Sequence, residues 1–178
     1  MLISALDPKR TFDLAPLGQV YGPTTPSCGF AMPKLVSVSY RLFEHEEPAI
    51  EAARNSETHD FGGELVLTFE GGLRSFVSWV GEPVQYAVGI SEASHYVPDA
   101  ALSDFDVSDT SMWEGLVGKE LSLVFVAADN QVLQLSSPGS SVFVCSLERG
   151  GWWADELTIC KEVPAPYDAD SDSWRPVA

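Results

Sequence analysis

Residues 65–80 read LVLTFEGGLRSFVSWV. Leu65, Leu67 and Phe69 alternate with Val66 and Thr68, the two-residue period of a pleated strand. Glu70, Gly71 and Gly72 then interrupt the pattern, and glycine supplies the positive φ that a tight hairpin turn requires. From Leu73 to Val80 the β-forming residues resume. The stretch therefore predicts an antiparallel hairpin, and its neighbours extend the sheet. Upstream, Leu35 to Phe43 alternates with Val36, Val38, Tyr40 and Leu42 on one face. Downstream, Val84 to Ile90 reads as a third strand of the same sheet.

The second half of the chain has a similar outline. Strands are expected over 120–127, 132–135, 142–147 and 156–163, with turns at Asp129-Asn130, Pro138-Gly139-Ser140 and Arg149-Gly150-Gly151. Residues 64–90 and 120–163 thus share a two-fold hairpin pattern. It fits a duplication, although any two hairpins share as much. The sum is a mainly β domain over 34–163: an antiparallel sheet of about eight strands curling into a barrel or sandwich. One short helix is expected after Asp109 or Ser111, with Met112, Trp113, Leu116 and Val117 on its apolar side and Gly118 ending it. Glu46 to Arg54 fits either a second short helix, with Pro48 in its first turn, or a mobile loop. Strand–helix–strand alternation of the length a parallel sheet needs is missing, which argues against doubly wound nucleotide-binding folds.

Flanking segments differ in character. Residues 1–33 form an irregular arm broken by Pro8, Pro16, Pro23, Pro26 and Pro33, and residues 164–178 read as a flexible acidic tail. The start of the chain lacks a basic run before its apolar stretch, which ends at Asp7-Pro8, so it makes a poor signal peptide. No apolar run approaches the ~20 residues of a spanning helix. The expectation is a cytoplasmic protein with no membrane partner.

Charge is the strongest clue to function. The 178 residues carry 26 acidic and 10 basic side chains, a formal net charge of -16. Glu44, Glu46, Glu47, Glu51, Glu57, Asp60 and Glu64 form one block, and Asp99, Asp104, Asp106, Asp109 and Glu114 another. Such a surface repels phosphate backbones, so no nucleic-acid partner is expected, and it attracts basic proteins.

Candidate chemistry is sparse, and no cofactor is expected. His45 and His59 flank the acidic loop, and two imidazoles with a carboxylate suit zinc or non-haem iron, but neither sits at a ligand spacing from the other. A solvated polar loop is the simpler reading. Asp104-x-Asp106-x-Ser108-Asp109 has the opening spacing of a calcium loop, yet Asp109 stands where glycine is needed and Gly115 where the bidentate Glu belongs. Cys28, Cys145 and Cys160 are too scattered for a disulfide framework or a metal knuckle, which leaves buried thiols. Trp152 and Trp153 follow a glycine turn and point to opposite faces of a strand. At least one is then exposed, and Trp anchors many interfaces, although both could instead cap the end of the core.

A compact acidic β domain without catalytic residues resembles bacterial immunity proteins, the antidotes to toxins that are often nucleases with cationic clefts. The run Met112-Trp113-Glu114-Gly115-Leu116-Val117-Gly118-Lys119 before a strand resembles a pattern in small uncharacterised bacterial proteins. The resemblance spans roughly the last two-thirds of the chain and carries over no functional residue. It implies a non-catalytic inhibitor of a basic protein. The expected contact residues are Glu44, Glu46, Glu47, Glu51, Asp60, Trp152 and Trp153. Two alternatives remain: a barrel holding a small ligand or sugar against Trp152, Trp153 and Tyr96, and a hydrolase or isomerase using His45 or His59 with a carboxylate.

Overall fold

The computed structural model describes residues 33–81, 87–97, 100–126, 130–146, 156–162 and 175–176. They all fall in one unit spanning Phe30–Val177. In chain order its elements begin with β1 (Leu35–Phe43), α1 (Glu47–Ala52), β2 (Thr58–Phe61), β3 (Glu64–Phe69), β4 (Arg74–Val80) and β5 (Ala87–Ser91). There follow β6 (Leu102–Asp106), β7 (Ser122–Phe125), β8 (Val132–Ser137), β9 (Ser140–Cys145), β10 (Leu157–Cys160) and β11 (Arg175–Pro176).

The strands form two antiparallel sheets, ordered β5-β4-β3-β1-β6 and β11-β7-β8-β9-β10-β2. The mainly β, antiparallel expectation therefore holds. The sheets do not close into a barrel. They share one core instead: Val38, Tyr40, Leu42, Leu65 and Leu67 from the first meet Leu133, Leu135, Val142, Val144, Leu157 and Ile159 from the second in a single apolar cluster. Burying this much hydrocarbon is the main force holding the layers together. At the seam, Leu35 N–H donates to the Lys119 carbonyl at 2.9 Å and Gly118 N–H to the Leu35 carbonyl at 2.7 Å.

Both glycine-turned hairpins form as expected, one in each sheet. Gly71 and Gly72 adopt φ of 83° and 81° between β3 and β4. Pro138 and Gly139, the latter at φ 84°, are the central residues of the β8–β9 turn, a pairing suited to type II geometry. The turn expected at 149–151 lies outside the described residues, as do the arm over 1–32 and most of the tail. Residues 175–176 of that tail pair with β7.

Three expectations need correction, and of the two alternatives for 46–54 the short helix holds. Val36 does not share the inward face of β1: it is exposed at 51%, and Leu35 is buried in its place. The cause is a register shift between Leu35 and Ser37 against β3, which inserts one extra residue and turns Val36 outward. The helix expected at 109–118 is a series of turns. Thr110 and Trp113 carbonyls accept successive i+3 and i+4 bonds, but Gly115 then breaks the ladder, its carbonyl accepting from Ser137 Oγ at 3.2 Å. Met112, Trp113 and Leu116 are nevertheless buried as predicted. The α-helix is found at α1, where Pro48 occupies the first turn and Ile50, 2% exposed, reaches the core. Finally, β2 ends the acidic stretch read as a solvated polar loop, and β6 forms over 102–106, where no strand was expected.

Candidate functional site

The acidic segment of residues 44–64 is an excursion between the two sheets. It leaves β1 in the first, forms α1, pairs β2 with β10 in the second, and returns to β3 in the first. Its closure is built from Glu46. One carboxylate oxygen accepts Phe43 N–H at 2.9 Å and the other Gly62 N–H at 2.6 Å, so this side chain ties the two ends of the excursion together. Glu46 thus has a structural role, with both carboxylate oxygens engaged by backbone amides.

The other expected contact residues divide by environment. Glu44 is exposed. Glu47 accepts from the Ser103 hydroxyl and so reaches β6. Glu51, with a side chain 61% exposed, pairs with Arg54 at 3.3 Å, and Arg54 also pairs with Asp109. Asp60 is exposed and accepts Thr158 Oγ1 at 2.6 Å across the β2–β10 pair. Trp152 and Trp153 lie outside the described residues. Glu64, at the end of the block, is completely buried: it accepts Ser94 Oγ at 2.6 Å and His95 N–H at 2.7 Å and so pins the loop after β5.

The two histidines are not brought together. His45 is exposed and stacks against Phe43, with ring centroids 6.0 Å apart. His59 is 1% exposed in the core. Among the described residues no group of three His, Cys, Asp or Glu side chains could hold a metal ion. The calcium-like carboxylates are occupied as well. Asp106 accepts Ser108 N–H at 2.8 Å, and Asp104 bridges two arginines. Cys145 and Cys160 lie on the neighbouring strands β9 and β10. Their register partners are Thr158 and Phe143, so they are diagonal neighbours, about 7–8 Å apart and beyond ordinary disulfide reach.

Two arrangements escaped the sequence reading. On the outward face of the first sheet, Arg41 and Arg74 both approach the Phe76 ring, at 5.2 and 5.1 Å, and both bond Asp104, at 2.7 and 2.8 Å. Beside them opens a cleft of ≈ 660 Å³ lined by Arg41, Ser94, Tyr96, Val97, Leu102 and Asp104, with Ala100. The hydrogen bond to Asp104 raises the Arg41 pKa against the effect of burial, helped by the charges of Asp104 and Glu64. Partial burial works against the charged form of Asp104, but the hydrogen bonds and charges of both arginines outweigh it and hold its carboxyl below the ordinary range. This cluster is nearly charge-neutral. The strand period placed Arg41 outward, but β6, which supplies Asp104, gave no pattern to read.

The second arrangement is buried. Trp113 Nε1 donates to the Tyr40 oxygen at 3.0 Å, and Tyr40 lies 2.7 Å from His59 Nδ1, stacked on Phe61 at 4.3 Å. Burial pushes the Tyr40 hydroxyl far above its usual pKa, only partly offset by Trp113, so it stays protonated. Burial also lowers the His59 pKa, against the opposing influence of the Ala53 carbonyl and Asp60.

Comparison with protein-family models, curated proteins and solved structures finds no match for this chain. Among the described residues no helix is long and apolar enough to cross a membrane.

Proposed function

We propose that this chain is a non-catalytic binding protein whose acidic excursion takes a basic protein partner, in the manner of an immunity-type inhibitor. One observation carries the reading. Residues 44–60 hold six carboxylates and one guanidinium, and that guanidinium, on Arg54, is already shared between Glu51 and Asp109. Glu44, Glu51, Glu57 and Asp60 are exposed around it. Six carboxylates against one guanidinium make the segment strongly negative, which favours fast, steered association with a cation-rich surface. The alternatives find less support. The ligand-binding reading needs a barrel mouth, and the sheets do not close. The hydrolase or isomerase reading needs a reachable imidazole beside a carboxylate; His59 is enclosed, so it would rest on exposed His45, which shares a shallow cleft with Glu44.

The test uses the tagged full-length chain as bait in lysate from its own source, washed at low and then high salt. The retained protein is then titrated directly. The expected result is one basic protein, bound at least tenfold more weakly after Glu44→Lys with Glu57→Lys. These exposed residues serve better than Glu46, whose replacement would open the excursion. If no basic protein is retained, or if the titration ignores charge reversal, the reading is overturned.

A further inference from the structure

The buried chain Trp113–Tyr40–His59 has a fixed direction. An indole Nε1 can only donate, so the Tyr40 oxygen accepts at 3.0 Å, and the arrangement that also pairs the tyrosine's own proton directs it to His59 Nδ1 at 2.7 Å. Nδ1 is therefore an acceptor, and the neutral ring carries its proton on Nε2. Among the described residues, no hydrogen bond of ordinary geometry meets that buried atom. The Ala53 carbonyl, just past α1, lies close enough to the ring to favour its charged form as a backbone hydrogen-bond acceptor, opposing the effect of burial without outweighing it.

A second proton would have to go on Nδ1, directly facing the Tyr40 hydroxyl. Tyr40 would then accept from both neighbours, and its own proton would lose its acceptor in the core. A buried donor left unpaired, beside a newly buried charge, costs free energy on both counts. Few groups nearby soften this. From β1 the ring meets Tyr40; from the 110–119 turns, Trp113 reaches it through Tyr40. Its register partner on β10 is the apolar Ile159. On its own strand, Asp60 favours proton uptake but is exposed and bonded to Thr158. Beside α1, Glu51 and Arg54 are paired with each other, and Arg54 with Asp109.

We propose that Trp113, Tyr40 and His59 form a proton-operated latch: protonation of His59 reverses the donor order and loosens residues 46–62 from the core before the rest of the fold opens. The geometry localises the effect. Besides this chain, the excursion is held by the Glu46 carboxylate, by Ile50 and Phe61 in the core, by side-chain bonds of Ser103 to Glu47, Arg54 to Asp109 and Tyr96 to the Gly62 carbonyl, and by the short β2–β10 pairing, with Asp60–Thr158, at a sheet edge. The central hairpin β8–β9 has no contact with His59 through this hydrogen-bond chain and should not respond. Acid release of a basic partner would follow, a consequence that rests on the proposed function; the latch itself does not.

The test needs no partner. Nitrogen NMR of the full-length chain at pH 7.5 should show His59 with Nε2 protonated and Nδ1 bare. Amide exchange, corrected for its intrinsic pH dependence, is then followed from pH 7.5 to 5. Exchange in 46–62 should accelerate at least tenfold more than in β8 and β9, and His59→Asn, which keeps an acceptor near the Nδ1 position but does not titrate, should abolish the difference. A proton on Nδ1 at pH 7.5, or parallel acceleration of both regions in the native chain, overturns the proposal. Those two readouts decide it even if the variant fails to fold.

Discussion

A single carboxylate, that of Glu46, holds the Phe43 and Gly62 amides together. Glu46→Ala leaves two part-buried donors without their acceptor, and a loss of about 2 kcal/mol in urea-determined stability is expected. Next to it, Gly63 runs so close to β1 that an added Cβ would lie 1.7 Å from the Arg41 carbonyl oxygen. Backbone cannot yield as a side chain can, so Gly63→Ala should cost more than the Glu46 change, visible as a lower unfolding midpoint. At this scale the sequence announced composition but not role. The acids of 44–64 were legible as a block, yet nothing in it distinguished Glu46 and Glu64, which bind backbone amides, from Glu44, which faces water. That distinction is made by amides and hydroxyls at 62, 94 and 95, supplied by the fold. His59 was misread for the same reason: its partner Tyr40 lies 19 positions away, and Trp113, which bonds Tyr40, 54, so no local spacing shows them.

Among the elements, the hairpins were readable because their turns are chemical: Gly71-Gly72 and Pro138-Gly139 each specify a backbone geometry locally. β2 and β6 were not readable. Thr58-His59-Asp60-Phe61 and Leu102-Ser103-Asp104-Phe105-Asp106 carry charged residues that disfavour strand, and both sit at sheet edges where such residues deter unwanted pairing. Their strand character comes from β10 and β1, not from their own propensity. The β1 bulge gives a paired prediction. Leu35→Ala should cost about 2–5 kcal/mol, the range for a fully buried leucine, whereas Val36→Thr should stay within roughly 0.5 kcal/mol. Reversed magnitudes in denaturant titrations would place the alternation without a bulge.

For the molecule as a whole, pH and salt dependence follow from charge. His59 has a folded pKa below its ordinary 6.5, so the unfolded chain takes up the proton first as pH falls. Its contribution is complete above about pH 6.5 and declines below, by at most about 1.4 kcal/mol per pH unit. Unfolding midpoints at pH 7.5 and 5 should show the decline, and His59→Asn should flatten it. Asp104, held below its ordinary value, keeps its contribution above about pH 4 and loses it only in stronger acid. Net repulsion among 26 acids should also make added salt stabilising, measured as a midpoint that rises between low and 0.5 M sodium chloride, on the order of a Debye length of 4 Å. The path of the chain has one more consequence. β2 precedes β3, yet its partner β10 begins 96 residues after it ends. A ribosome adding about 5–20 residues per second needs roughly 5 to 20 seconds to bridge that gap. Through that interval the nascent chain holds a strand with nothing to pair with, and the core-facing side of its first hairpin lacks a cover. Chaperone demand during synthesis should therefore be concentrated in the first half of the chain.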